Sequence, residues 1–251
     1  MTRIILSGCC GKMGRNVINS VNQRKDCEIV AGIDIVEDSN IGFPIFQNYN
    51  ELEVKADVII DFSNPALLSS MLEYAVKSKT AVVLATTGLS DSQINEVEVA
   101  AKSIPVFFSY NMSLGVSLLC ELSKTAAKIL GSDFDVEIIE AHHNQKIDAP
   151  SGTAIMLANA VKEEMPDAYF EYDRHSKREK RHSNEIGIHS IRGGTIVGEH
   201  QVIFAGNDEI VTLSHSARSK AIFSQGAVNA AVFLANKEAS GIYNMSDLVK
   251  E

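Results

Sequence analysis

The sequence predicts an α/β chain of two domains, a parallel sheet wrapped by helices and a second, mixed α+β domain. Three observations carry this. Arg3 to Ser7 reads as a buried strand running into Gly8-Cys9-Cys10-Gly11-Lys12-Met13-Gly14, and a helix and a strand ending at Asp34 follow. Strands and helices then alternate as far as Ser109, which builds a parallel sheet covered by helices. Beyond Leu130 the rhythm changes to strand, helix and three strand-like runs, and only the tail returns to helix. Strand, glycine turn, helix, strand, acid is the order of a Rossmann-type dinucleotide-binding unit, and the first domain is assigned to that class.

Taken in order, the first helix places Met13, Val17, Ile18 and Val21 on one face. Gly8 permits the tight turn, Gly11 lets a pyrophosphate approach the backbone, Gly14 allows close helix-to-strand packing, and Asp34 can bond ribose hydroxyls. The spacing is Gly-x-x-Gly-x-x-Gly rather than Gly-x-Gly-x-x-Gly, so the turn draws its meaning from its context. The chain after Asp34 reads as loop to about Lys55. Asp57 to Phe62 is then a strand, followed by a helix from Ala66 to Lys77, a strand from Thr80 to Ala85, a helix from Ser92 to Lys102 and a strand from Pro105 to Ser109. Ligands bind at the carboxyl ends of such strands, which nominates Thr86-Thr87-Gly88 and Tyr110-Asn111-Met112. Ser113 to Leu130 is helical, with Gly131 as its stop, and strand-like runs near 185–191, 198–205 and 209–216 belong to the second domain. The closing helix, with Phe223, Ala227, Ala230, Ala231 and Leu234 on one face, is expected to return to the first domain. The boundaries are therefore 1–113 with 221–251, and 114–220; the two crossings imply a hinge.

Composition excludes several classes. The 251 residues are 45% hydrophobic and 22% charged, ordinary for a soluble globular protein, and the net charge of −9 argues against general nucleic-acid affinity, which rests on Lys and Arg. An anionic small molecule then needs a local positive site. Cys9, Cys10, Cys27 and Cys120 show neither Cys-x-x-Cys nor metal-ligand spacing, so no metal is expected and a reduced, cytoplasmic setting is the simplest reading. The short apolar run near the N-terminus is no signal peptide, and no later run approaches a membrane span.

That positive site is found in Glu140-Ala141-His142-His143-Asn144-Gln145-Lys146-Ile147-Asp148-Ala149-Pro150-Ser151-Gly152-Thr153-Ala154. Val136 to Ile139 before it reads as a strand, and Ile155 to Val161 after it as a helix, so the stretch is a strand-to-helix loop. Pro150 disfavours helix before it, Ser151 is a natural N-cap, and Gly152 lets backbone approach closely. The N–H groups around Ser151, Gly152 and Thr153 should therefore point outward as an anion site. His142 and His143 are residues of a type able to hydrogen-bond or exchange a proton, and Lys146 adds a mobile ammonium. The basic run from Arg174 to His182 has no interleaved aromatics and reads as a solvated loop; His189, His200 and His215 fall singly in strands and read as structural.

These residues resemble a specific family, the 4-hydroxy-tetrahydrodipicolinate reductases (dihydrodipicolinate reductases) of bacterial and plant lysine and diaminopimelate biosynthesis. The similarity spans essentially the whole chain. Its landmarks are the glycine turn, Asp61-Phe62-Ser63-Asn64-Pro65, Thr86-Thr87-Gly88, the specific Glu140 to Ala154 segment, Val197-Gly198-Glu199-His200 and Gly226-Ala227-Val228-Asn229-Ala230-Ala231. The resemblance implies that His142 donates or accepts a proton, that Lys146 donates one, and that His143, Ser151, Gly152 and Thr153 bind the dicarboxylate substrate. It implies cofactor contacts from Gly8, Cys9, Cys10, Gly11, Lys12, Met13, Asp34, Ala85, Thr86, Thr87, Ser109, Tyr110, Asn111 and Met112. It also implies NADH or NADPH as hydride source and a homotetramer assembled through the second domain.

Two departures from the family pattern matter. Ala85 stands where many members have Gly, and Ile35 follows Asp34 where some dual-specificity members have Arg. A carboxylate opposes a 2′-phosphate, so NADH is the expected preference, softened by Lys12. With cofactor and substrate on different domains, hinge closure around both ligands is expected; an unchanged interdomain angle with both bound would refute it. Competing readings are another two-domain dehydrogenase of a small amino or oxo acid, such as an aspartate or homoserine dehydrogenase, and a non-catalytic NAD(H) sensor. The first is not expected to carry His-His-x-x-Lys followed by Ser-Gly-Thr, and the second needs an output surface such as a DNA-reading helix, which the sequence does not offer.

Overall fold

Runs of β-branched and aliphatic residues too continuous for a half-exposed sheet make the strands of the first unit, because these strands are buried on both faces. The computed structural model describes residues 1–109 and 111–249, and its chain divides into two compact units, Met1–Ser113 with the segment from Lys220, and Leu114–Ser219. In the first unit β1 (Thr2–Ser7), β2 (Cys27–Ile33), β3 (Ile45–Phe46), β4 (Val58–Asp61), β5 (Ala81–Leu84), β6 (Pro105–Phe108) and β12 (Gly241–Tyr243) form one parallel sheet. Its order is β12-β6-β5-β4-β1-β2-β3. The order reverses between β1 and β4, so the carboxyl ends at Ser7 and Asp61 flank a topological switch point, where open α/β sheets bind ligands.

Alternation along β1 sends Ile4 and Leu6 to one core and Ile5 to the other. Helices α1 (Lys12–Asn22) and α6 (Ala221–Leu234) pack with the first core, α2 (Leu68–Ser78) and α3 (Asp91–Ala100) with the second. The tail helix thus returns to the first unit, where an added Cβ on Gly226 would lie 1.5 Å from the carbonyl oxygen of Met112. A short helix, α7 (Met245–Val249), ends the described chain.

The second unit holds a five-stranded sheet of β7 (Asp135–His142), β8 (Tyr169–Glu171), β9 (Glu185–Arg192), β10 (Gly198–Ala205) and β11 (Ile210–Ala217) in the order β11-β10-β7-β9-β8. Central β7 runs antiparallel to β10 and parallel to β9. Helices α4 (Leu114–Leu130) and α5 (Gly152–Lys162) cover one face, burying Val136, Ile138, Val202 and Phe204. On the other face Gln201, Thr212 and Ser214 are exposed and Ile139 and Ile203 half-buried.

Four differences from the sequence reading have plain causes. The stretch after Asp34 contains β3 and a 3₁₀ turn at Tyr49–Glu51, and β8 and β12 are equally short, too brief for a periodicity to show. Strand β7 runs on through Glu140 and Ala141 to His142, because the polar residues that break the apolar run are buried by partners. The basic run is the largely exposed loop expected, but three of its cations tie it to the sheet: Arg174 meets Glu185 at 3.1 Å, Arg181 meets Asp135 at 2.7 Å and Glu137 at 2.9 Å, and Lys177 pairs with Glu171. His189 bonds Glu137, but His200 lies beside the candidate site.

Candidate active site and dinucleotide turn

The carboxyl end of β7 gathers an internal charge network. Glu140 is fully buried and its carboxylate accepts from both terminal nitrogens of Arg192 at 2.8 and 2.7 Å, from the Ser151 N–H at 3.1 Å, and faces Nδ1 of His142 at 2.5 Å. Burial opposes the charge on Glu140, and the hydrogen bonds, led by Arg192, outweigh it and bring the carboxyl down to about 2. Period-two alternation puts Glu140 and His142 on the same face of the strand, which lets one orient the other. With Nδ1 held by a carboxylate, Nε2 is the nitrogen left for proton exchange. It faces Gly198, where an added Cβ would sit 3.2 Å from it.

His200 completes the packing. Its ring meets that of His142 edge-on with centroids 5.2 Å apart, and its Nε2 is 3.1 Å from the Ser151 hydroxyl. Burial, aided by the neighbouring His142, pushes His200 down to about 4, so it is neutral near pH 7. Sequence reasoning gave it only a structural role; the register of β10 against β7, which pairs His200 with Glu140, is what brings it here, as it brings Arg192 opposite His142 on β9.

The loop after His142 is pinned by the Gly193 N–H donating to the His142 carbonyl at 2.9 Å and the Asn144 N–H to Gly194 at 3.2 Å. His143 is half-buried, and its carbonyl accepts from the Lys146 N–H. The Lys146 ammonium is not loose as expected: it pairs with the exposed Asp148 at 2.8 Å. Ser151 is the N-cap of α5, its hydroxyl accepting from the Ala154 N–H. The expectation that its own N–H points outward is overturned, since Glu140 takes it and Ser151 is buried. Gly152 is exposed, and an added Cβ would meet nothing within 4 Å. Its lack of a side chain serves no internal packing and leaves open space at the helix start, with Thr153 half-buried beside it.

In the first unit Gly8 adopts φ +76°, and an added Cβ at Gly14 would stand 2.2 Å from the Gly8 carbonyl oxygen. The third glycine therefore lets α1 pack on the turn itself. Gly11 caps α1 without a side-chain bond, so the first-turn N–H groups at Lys12 and Met13 suit an anion. Asp34 reaches back to the turn, accepting from the Cys10 N–H at 2.9 Å and the Val36 N–H at 3.1 Å, which leaves carboxylate lone pairs for a ribose diol. At the switch point the Thr86 hydroxyl donates to buried Asp61 at 2.6 Å, so its one side-chain hydrogen is already spent and residue 86 has only its backbone N–H to donate to a dinucleotide. Burial pushes the Asp61 carboxyl up, opposed by Ser63 and Thr86. Ala85 packs against the core while Thr87 is exposed. The Ser109 hydroxyl donates to the Asn111 carbonyl, the Asn111 side chain accepts from the Ser113 N–H, and Met112 is buried in the core. Tyr110 lies outside the described residues.

A nucleotide-type turn at the switch point of a parallel sheet in one unit and an oriented histidine in the other define a two-unit dinucleotide-dependent oxidoreductase. Comparison with known proteins makes this particular. Models of the dihydrodipicolinate reductase N-terminus and C-terminus match residues 2–112 and 115–249. Proteins named 4-hydroxy-tetrahydrodipicolinate reductase from Clostridium novyi (strain NT) and Caldanaerobacter subterraneus subsp. tengcongensis are each 48% identical, over 251 and 252 residues, covering 100% of this chain and 99% of each relative. The solved structure of dipicolinate-bound dihydrodipicolinate reductase from Paenisporosarcina sp. TG-14 is 27% identical, with a TM-score of 0.80 over 97% of both chains. The chain belongs to the dihydrodipicolinate reductase family.

Proposed function

We propose that this chain reduces 4-hydroxy-tetrahydrodipicolinate to tetrahydrodipicolinate in lysine and diaminopimelate biosynthesis, with NADH preferred over NADPH. The observation that carries the reading is His142, held through Nδ1 by buried Glu140 just ahead of the helix start at Ser151-Gly152-Thr153. The 4-hydroxyl must leave as water to give a conjugated ring, and a bound nicotinamide, cradled by the glycine turn and Asp34, would supply a hydride to one of its unsaturated carbons. The conjugated neighbour then carries negative charge and must be protonated, a step that a positioned acid accelerates by about 10² to 10⁴. His142 exchanges that proton through Nε2, and Lys146, released from Asp148, supplies the second donor. His143 and the helix start at Gly152 and Thr153 hold the two carboxylates, while Ser151 acts by fixing the turn. Gly8 to Met13, with Asp34, cradle the dinucleotide, completed by residues 85–87 and 109–112.

NADH preference follows from the rim of the turn. Ile35, beside the ribose acid, is 81% exposed and uncharged, and Arg15, the nearby cation on α1, is paired with Asp38. Among the described residues of this rim, Lys12 is then the cation left to offset the repulsion of a 2′-phosphate by Asp34. No helix among the described residues is long and apolar enough to cross a membrane; the four free cysteines accord with a reducing cytoplasm. The test is a coupled assay with freshly made synthase product, following loss of NADH absorbance. Turnover should depend on that product, be higher in kcat/KM with NADH, and fall at least about 10²-fold in His142→Ala and Lys146→Ala with little change in NADH affinity. Unchanged turnover in both variants removes their roles, and a clear NADPH preference removes the reading of Asp34.

A further inference from the structure

We infer that the glycine turn also binds a thiophilic divalent cation such as zinc or cadmium, in competition with the dinucleotide. The Sγ atoms of Cys9 and Cys10 lie 4.0 Å apart, and with a carboxylate oxygen of Asp34 they form a set of three ligand atoms all within 4.8 Å of one another. Tetrahedral zinc with Zn–S bonds of about 2.3 Å holds two sulfurs about 3.8 Å apart. The sulfur pair therefore needs only a small adjustment to share one ion, with Asp34 as third ligand and a fourth position left to water. Two thiolates and a carboxylate favour a soft or borderline cation over magnesium or calcium.

The fold creates this set, which explains why cysteine spacing alone did not reveal it. Asp34 arrives from the end of β2, and the Cys10 N–H donates to its Oδ2, fixing the acid beside the sulfurs. The Cys9 sulfur lies over Gly32, where an added Cβ would come within 2.6 Å of it, so its position depends on a glycine two residues before the acid. Cys10 is partly exposed and its thiol donates to the Val36 carbonyl at 3.2 Å, a bond the ion would replace. Asp34 is also the carboxylate assigned to the ribose, so ion and dinucleotide draw on one group and exclude each other. A ring-nitrogen dicarboxylate substrate would itself chelate zinc, so turnover is the wrong readout.

The test uses the full chain kept reduced with a phosphine. Cadmium is titrated while the sulfur-to-metal ultraviolet absorbance is followed, and NADH binding is measured by its own fluorescence with and without zinc. The expected result is one cadmium per chain, and an apparent Kd for NADH that rises roughly tenfold when free zinc is ten times its own dissociation constant. Both effects should vanish in Cys10→Ser, with Asp34→Asn as a second variant should that chain misfold by circular dichroism, and both should survive in Cys120→Ser. Absence of saturable binding, or binding unchanged in Cys10→Ser, overturns the site. Binding lost in Cys10→Ser but with NADH affinity indifferent to zinc overturns the competition, and with it the placement of the ribose at Asp34; neither outcome touches the reductase assignment, which the coupled assay tests.

Discussion

Glu140 holds in place the residue proposed to handle the proton, His142. Replacing Glu140 with Gln preserves shape but removes the charge that receives Arg192 and turns one of two acceptor oxygens, both of which face donors here, into a donor amide, so the hold on the imidazole tautomer is weakened. Glu140→Gln should lower kcat by about 10² and distort the pH–rate profile while leaving NADH affinity intact, because the dinucleotide turn is in the other unit. A wild-type kcat and profile would deny the residue this role. His200 gives a second residue-scale test. Its folded value of about 4 lies below the ordinary 6.5, so between those values the unfolded chain binds more protons and stability must fall as pH drops from 6.5 through 4. The loss is at most about 3 kcal/mol, and His200→Gln should flatten that part of a urea-denaturation series against pH. An equally steep series in the variant would show that other groups carry it. The roles proposed for His142 and Lys146 were legible as residue types in a motif. The partners Arg192 and His200 were not, since only strand register brings them to the site.

At the scale of elements, long periodic segments were readable and short ones were not. Helices α1, α2, α4 and α6 and strands β1, β2, β9 and β10 follow from apolar spacing and punctuation, down to Gly131 at φ +61° ending α4. Strands β3, β8 and β12, of two or three residues, exist only because a neighbouring strand offers hydrogen bonds, so no local pattern announces them. The end of β7 was hidden for the opposite reason: buried Glu140 looks like a loop residue until Arg192 is placed. Helix α6 was readable by its alanines, but the need for Gly226 was not. Adding one methyl there would drive it into the Met112 carbonyl, 1.5 Å away, where only backbone could give. Gly226→Ala should therefore cost more than about 3 kcal/mol, seen as a lower urea midpoint, and weaken NADH binding by displacing the chain near Met112. A midpoint within experimental error of the natural protein would show that helix and strand end separate freely.

The second unit holds a sheet that, among the described residues, its own helices cover on one side only. In the second unit α4 and α5 bury the even-numbered face of β7 and β10, whereas the opposite face carries Ile139, Ile191, Ile203 and Ile210 among polar residues. Ile191 is 51% and Ile210 68% exposed. Apolar residues spread over an exposed sheet face are the kind of surface a symmetric assembly covers, which supports the homotetramer that the family resemblance implies. Light scattering should then give about 109 kDa, four chains of 27.3 kDa. Ile203→Lys places a charge in the middle of that face without touching the helix-covered core, since Val202 and Phe204 beside it point the other way. The variant should fall towards the mass of smaller species while binding NADH as before, because the dinucleotide turn is in the other unit. A tetramer that survives Ile203→Lys would put the interface elsewhere on the chain, and a natural protein of single-chain mass would end the proposal.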